Sequence, residues 1–166
     1  MTESQEWYIR GGAYRLNNNQ GSMDSRDRKM AREFIAMFNT ITPTDTAIQL
    51  FRGVGNGSYT NQIGQFWSTS DDESVAKSYT KVELYRDSRN RWRERKVGEV
   101  LIINVEPGVR VMKMNNVERE YVIDRDVIVQ ETKRINNGVT WIWITISPQA
   151  KTNIQGEDDV SIKRKV

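Results

Sequence analysis

The chain has 166 residues, with no cysteine and no histidine, 25 basic against 22 acidic residues and a net charge of +3. These absences exclude disulfides, thiolate nucleophiles, Cys- or His-ligated metals and any mechanism built on a histidine base. Chemistry must therefore come from carboxylates, Arg, Lys, hydroxyls, backbone amides or a bound cofactor. The length suits a single domain. Five Trp, six Tyr and four Phe can anchor a core despite a mean hydropathy of −0.71. No apolar run has membrane-spanning length, and MTESQEWYIR lacks the basic-then-apolar pattern of a secretory signal.

In chain order, WYI and AYRL are separated by Gly11-Gly12 and followed by NNNQG, which predicts a short, interrupted helical segment over residues 1–22. Met30, Phe34 and Phe38 recur at helical spacing, with Ala31 and Ile35 beside them. A helix over 24–38 follows, capped by Asp24 or Ser25, with Asp27 placed for the helix dipole. The segment Thr42–Asp45 breaks it. From Ala47 the texture turns to strand: AIQLFRG (Ala47–Gly53), a glycine-rich loop at Gly53, Gly55 and Gly57, and QFWSTS (Gln65–Ser70). Ser70 and Glu73 have capping-box spacing for a helix over Asp71–Thr80. EVLIINVEP (Glu99–Pro107) reads as a buried strand, and Pro107-Gly108 as a turn. VRVMKM, REYVI, VIVQ and VTWIWITI add short strands before a polar tail, 147–166, that is expected to fray. The expected fold class is α+β: N-terminal helices packed on a two-sheet, mainly antiparallel β core spanning about 8–146.

Three groups of residues have chemical potential. In Glu118-Arg119-Glu120, if the segment is a strand, residues two apart share a face, with Cα atoms roughly 6–7 Å apart. Such carboxylates suit acid/base work, cation stabilisation or a metal; taken alone, a solvated strand face is the readier explanation. In Leu50-Phe51-Arg52-Gly53, an Arg after an apolar strand can grip phosphate with its fork, and glycines permit close backbone approach. The bland reading is a surface Arg leaving a strand, and no Gly-Lys-Ser/Thr follows to make a P-loop. Phe66-Trp67-Ser68-Thr69-Ser70 places hydroxyls two apart, with no base partner to make a serine nucleophile.

Taken in order, aromatic-Arg, Phe-x-Ser-Thr-Ser and Glu-x-Glu resemble the mono-ADP-ribosyltransferases of the Arg–Ser–Glu class, which includes clostridial-type binary toxins, bacterial exoenzymes and phage transferases. Tyr14 with Asn17 or Asn18 looks like the family's Tyr-then-Asn helical signature. GEVLIINVEPGVRVMKM looks like its strand–Pro-Gly–strand unit, and EYVIDRDVIVQ like the strand after the second Glu. The resemblance implies NAD+ as substrate and no metal. It implies that Arg52 holds the pyrophosphate, with Gly53 and Tyr14 in the cofactor site. Ser68 braces the pocket and orients the catalytic Glu, with Thr69 and Ser70 in support. Glu120 is the catalytic acid, and Glu118 works at the acceptor side. Glu rather than Gln at 118 goes with arginine acceptors. The loop Lys113–Val117 lacks the aromatic that many relatives place there for target recognition.

The segment Lys81–Lys96 exceeds the family's usual link. Its part Arg86–Lys96 has six basic and two acidic residues around Trp92, and reads as a basic hairpin with Ser88-Arg89-Asn90 at its tip. It is either a solvated hairpin or a docking surface for an acidic protein face or nucleic acid. Trp141 and Trp143 fit a late core strand better than an NAD-stacking platform; Tyr59 and Tyr79 are candidate nicotinamide neighbours. The expected function is transfer of ADP-ribose from NAD to a macromolecule, a protein arginine first and RNA second. The expected setting is the cytoplasm of an infected or target cell, with no membrane partner. The rivals are an NAD glycohydrolase of the same fold and a non-catalytic nucleic-acid-binding module.

Overall fold

The computed structural model describes residues 1–18 and 23–149. The helical start is interrupted as expected: α1 (Glu3–Trp7) leads through a π-type turn, Tyr8–Gly12, into α2 (Ala13–Asn18). The break is local, because Gly11 sits at φ 103° and Arg10 leaves helical geometry. A left-handed φ is accessible to glycine at little cost. Helix α3 (Ser25–Thr40) is capped by Asp24, whose side chain accepts from the Asp27 amide at 2.7 Å. Asp27 in turn accepts from Trp7 Nε1 at 2.9 Å and Arg15 Nε at 3.1 Å, fastening the first two helices to the third. Residues 19–22 and 150–166, which hold most of NNNQG and of the polar tail, lie outside the described residues.

The strands are β1 (Ile48–Val54), β2 (Trp67–Ser70), β3 (Lys81–Arg86), β4 (Trp92–Val97), β5 (Glu99–Val105), β6 (Val111–Lys113), β7 (Glu120–Ile123), β8 (Val127–Asn137) and β9 (Val139–Pro148). A short helix, α4 (Glu73–Ser78), follows β2. Seven strands join in the order β6-β7-β2-β1-β5-β9-β8, and all neighbours are antiparallel except β5 and β9. Strand β1 pairs with β5 along its whole length but with β2 through one register pair, Phe51 with Ser70. The expected two-sheet core is thus realised as two halves of one hydrogen-bonded sheet, meeting at a narrow seam. The halves carry separate cores. Tyr8, Phe34, Phe38, Phe66 and Val122 pack under the helices, and Leu50, Trp67, Leu101, Ile103, Ile142 and Ile144 pack beneath the long strands. Tyr8 stacks on Phe34 with ring centroids 4.4 Å apart, and Phe66 meets Phe34 edge-on at 5.7 Å.

Several expectations need correction. Ser70 does not cap a helix over 71–80. Asp72 does, accepting from the Ser74 amide, and the Ser70 hydroxyl is otherwise engaged. Glu118 is not on a strand; β7 starts at Glu120. Strand β9 runs to Pro148, into the segment expected to fray, and β8 is far longer than VIVQ. Within β9 it is Ile142, Ile144 and Ile146 that are buried, while Lys77 lies over Trp141 at 5.3 Å and Lys133 over Trp143 at 4.9 Å. The hairpin of β3 and β4 forms as predicted, as a separate two-stranded sheet with Asn90 at φ 61° in its turn.

Gly53 sets the position of α4. A Cβ there would collide with the Ala76 carbonyl, so α4 lies directly on the β1 backbone. Forcing extra volume into such a contact costs about 1–3 kcal/mol. Gly53→Ala should therefore lower the melting temperature by several degrees, read by calorimetry; an unchanged melting temperature would contradict this packing.

Candidate active site

Arg52 lies inside β1 rather than at its end, and its alternation with Leu50 and Val54 turns it toward the lower core. Its Nη1 donates to the Ser68 carbonyl at 2.7 Å, and Nη2 and Nε both donate to Gln62 Oε1, at 2.9 and 3.3 Å. The guanidinium also lies over Trp67, 5.9 Å from the ring centroid. All these partners are neutral. Among the described residues no carboxylate pairs with Arg52 within 4.0 Å, although burial pulls its pKa down from the ordinary arginine value. A partly desolvated cation without a counter-ion favours an anionic ligand.

Across the seam, β2 supplies the hydroxyls. Ser68 Oγ is 3.1 Å from the Tyr8 hydroxyl, which is pushed up to about 12 by burial. Thr69 and Ser70 turn their hydroxyls to the backbone: Thr69 donates to the Tyr121 carbonyl at 2.6 Å and Ser70 to the Glu118 carbonyl at 2.8 Å. These bonds tie β2 to β7 and to the turn before it. That turn makes the two carboxylates converge without a shared strand face. Arg119, at φ 52°, reverses the chain between them and is held by Asp71, 2.8 Å away. Glu120 is buried at the start of β7. Asn116 secures it twice, donating from Nδ2 to Glu120 Oε1 and accepting from the Glu120 amide, both at 3.0 Å. Glu118 is exposed and accepts from the Tyr79 hydroxyl at 2.9 and 3.0 Å. Tyr79, at the end of α4, is also raised to about 12, chiefly by burial and then by Glu118.

One cleft of about 240 Å³ gathers Arg52, Gly53, Ser68, Thr69, Ser70, Glu118 and Glu120. Of the predicted site residues, only Tyr14 lies elsewhere: it is 68% exposed and lines an adjoining hollow that shares Tyr8, Arg52 and Ser68. Asn17, its companion in the predicted signature, brackets Phe66, donating to its carbonyl at 3.3 Å and accepting from its amide at 3.2 Å. Tyr79 lines the cleft, whereas Tyr59 is buried in the lower core. Sequence reasoning missed Tyr8, Gln62 and Asn116. Tyr8 stands in an apolar run that reads as plain core. Nothing local marks Gln62. Only the spacing of Asn116 from Glu120 hinted at a turn. Among the described residues no group of three or more acidic side chains is placed to hold a metal. A cation, paired hydroxyls and two carboxylates around one cleft can bind a phosphate-bearing ligand at one end and stabilise positive charge at the other.

The sequence matches no protein-family model and no curated protein. The structure is similar to that of the Vis toxin, an ADP-ribosyltransferase from Vibrio splendidus, at 17% identity and a TM-score of 0.57 over 88% of this chain and 73% of that one. Vis has also been solved with agmatine. Exoenzyme S from Pseudomonas aeruginosa, solved with human 14-3-3 protein beta and bound to carba-NAD, matches at 15% identity and 0.59 over 85% of this chain and 68% of that one. Plx2a, an ADP-ribosyltransferase toxin from Paenibacillus larvae, matches at 12% and 0.53, covering 88% and 87%.

The raised phenols yield a pH prediction. Tyr8, Tyr59 and Tyr79 ionise near 12 in the folded chain, against 10.0 ordinarily. Between those values the unfolded chain releases these protons first, so stability falls as pH rises from about 10 to about 12. Phenolate absorbance that appears near pH 12 in the native protein should shrink in Tyr8→Phe; an unchanged rise there would contradict the burial of Tyr8. With this arrangement of helices, split sheet and seam cleft, the chain has the fold of the bacterial ADP-ribosyltransferase toxins.

Proposed function

We propose that the chain is an NAD-dependent mono-ADP-ribosyltransferase that modifies arginine. The observation that carries this reading is the pairing, in one cleft, of an unneutralised Arg52 with the buried carboxylate of Glu120. Arg52 holds the diphosphate of NAD, beside Gly53 and the hydroxyl-bearing β2. The bond from the nicotinamide nitrogen to ribose C1′ breaks with both electrons leaving on nicotinamide, which departs neutral. Positive charge develops on the ribose, as in glycoside hydrolysis. Glu120, fixed by Asn116, stabilises that charge and accepts a hydrogen bond from the ribose 2′-hydroxyl. Ser68, steadied by Tyr8, braces the ribose end. An acceptor guanidinium nitrogen then bonds C1′, and its proton passes to Glu118, which faces solvent and is oriented by Tyr79. No step needs a metal. The bound carba-NAD of exoenzyme S and the agmatine of Vis support this choice of donor and acceptor.

The acceptor is a protein in this reading, met in a target cell's cytoplasm by a toxin, effector or phage protein. No helix among the described residues is long and apolar enough to cross a membrane. The β3–β4 hairpin is the proposed docking element. Val82, Leu84 and Trp92 are exposed at 59, 61 and 62%, and the register puts them on one face with Arg86, Glu94 and Lys96. Exposed aliphatics favour a protein over RNA. Arg91 and Arg93 are engaged at home, both pairing with Asp87. Trp92→Ala combined with Lys96→Glu should reduce labelling of protein targets in a lysate supplied with labelled NAD and leave modification of agmatine unchanged. Equal loss of both would contradict docking.

Losing a preorganised charge contact typically costs about 10²–10³ in rate. Glu120→Gln should therefore lower both agmatine modification and NAD hydrolysis by about that factor. Glu118→Gln should remove agmatine modification and leave hydrolysis. Release of ADP-ribose and nicotinamide measures both. Hydrolysis with no acceptor ever modified would assign the chain to the glycohydrolases; NAD hydrolysis indifferent to Glu120 would overturn the catalytic reading.

A further inference from the structure

Gln62 belongs to a four-residue 3₁₀ turn, Tyr59–Gln62, between β1 and β2. The turn is held on every side. The buried Glu99 carboxylate accepts from the Tyr59 amide at 2.7 Å, and the Tyr59 hydroxyl donates to Glu131 Oε1 at 2.8 Å. Ser58 caps its start, and the Gln62 carbonyl accepts from Trp67 Nε1 at 2.8 Å. A half-exposed loop so strongly fixed presents its last side chain in one place. That place is the Nε–Nη2 edge of Arg52, where the single oxygen Oε1 receives both donors.

A guanidinium has five N–H donors. Gln62 takes two and the Ser68 carbonyl one, which leaves one donor on Nη1 and one on Nη2. A carboxylate at residue 62 would grip the same edge more strongly and cancel the charge. A carboxamide fixes the plane of the guanidinium and leaves its charge for the ligand. We infer that Gln62 is a positioning residue that orients Arg52 toward the diphosphate of the bound nucleotide without neutralising it. The inference rests on the dinucleotide reading above, and separates from it because a nucleoside diphosphate tests the Arg52 end of the cleft alone.

The test is calorimetric titration of ADP and of NAD into the full chain, with melting temperatures recorded alongside. Gln62→Glu supplies Arg52 with a counter-ion. It should weaken ADP and NAD binding about tenfold or more, equivalent to about 1.4 kcal/mol or more, without lowering the melting temperature. A merely structural role predicts the opposite pairing, lost stability with unchanged affinity. Gln62→Met, neutral and of similar length, removes the acceptor but adds no charge. It should weaken ADP binding less, and raise KM for NAD with little change in kcat. Binding of ADP unchanged in either variant overturns the inference, as does an equal loss in both. Should Gln62→Glu fail to fold, the Met variant decides by its KM and kcat. ADP binding that responds to Gln62→Glu in a chain that never turns over NAD retires the transferase reading and keeps this one; failure of the wild type to bind ADP overturns this one.

Discussion

Arg52 sits on the core-facing side of a central strand, yet among the described residues no carboxylate forms an ion pair with it, and Glu120 across the cleft acts on it only at longer range. Burying a cation costs several kcal/mol unless it is paired or well solvated by hydrogen bonds. Here two neutral acceptors, Gln62 and the Ser68 carbonyl, hold it, and one N–H on each of Nη1 and Nη2 remains for a ligand. The surroundings are arranged to keep that charge free. Glu99 and Glu131 fasten the turn Tyr59–Gln62, which sets the neutral Gln62 carboxamide against the guanidinium.

The second constraint is the seam. Arg52 belongs to the half-sheet β1-β5-β9-β8, while Ser68 and Glu120 belong to β6-β7-β2. Only the pair Phe51–Ser70 joins the two through β1 and β2. A cleft at such a seam gathers side chains that no single strand could present together, and its geometry depends on what spans it. The Arg52–Ser68 bond spans it directly, α4 rests on Gly53 from above, and Tyr79 reaches from α4 to Glu118. Cation binding at one half and charge stabilisation at the other thus share one scaffold.

Much of this was legible in the sequence, for physical reasons. The Met30–Phe34–Phe38 spacing gave the long helix because one buried face needs a helical period, and EVLIINV gave a buried strand because Leu101, Ile103 and Val105 line a fully covered face, although Asn104 on the other face is exposed. That the Arg, Ser-Thr-Ser and Glu-x-Glu groups share a cleft came from their resemblance to the ADP-ribosyltransferases, not from spacing, and the structure lines one cleft with them. The means of convergence was not legible. Glu118 and Glu120 meet through a left-handed Arg119, which strand alternation does not anticipate. Tyr14, read as the cofactor-side tyrosine, faces an adjoining hollow, and Tyr8, four residues after the buried Ser4 on the same helical face, lies beside Ser68. The Ser70–Glu73 spacing matched a capping box, but the Ser70 hydroxyl bonds the turn across the sheet, and Asp72 caps instead. Gln62 and Asn116 act through isolated long-range or turn contacts, which leave no periodic trace.

The most direct test of the account is a crystal structure of the full chain with a non-hydrolysable NAD analogue such as carba-NAD. Diphosphate oxygens should lie within hydrogen-bond reach of Arg52 Nη1 and Nη2, with Gln62 still on the Nε side, and the nicotinamide-side ribose should lie against Glu120. An analogue bound away from the seam, or a diphosphate making no contact with Arg52, would contradict the account.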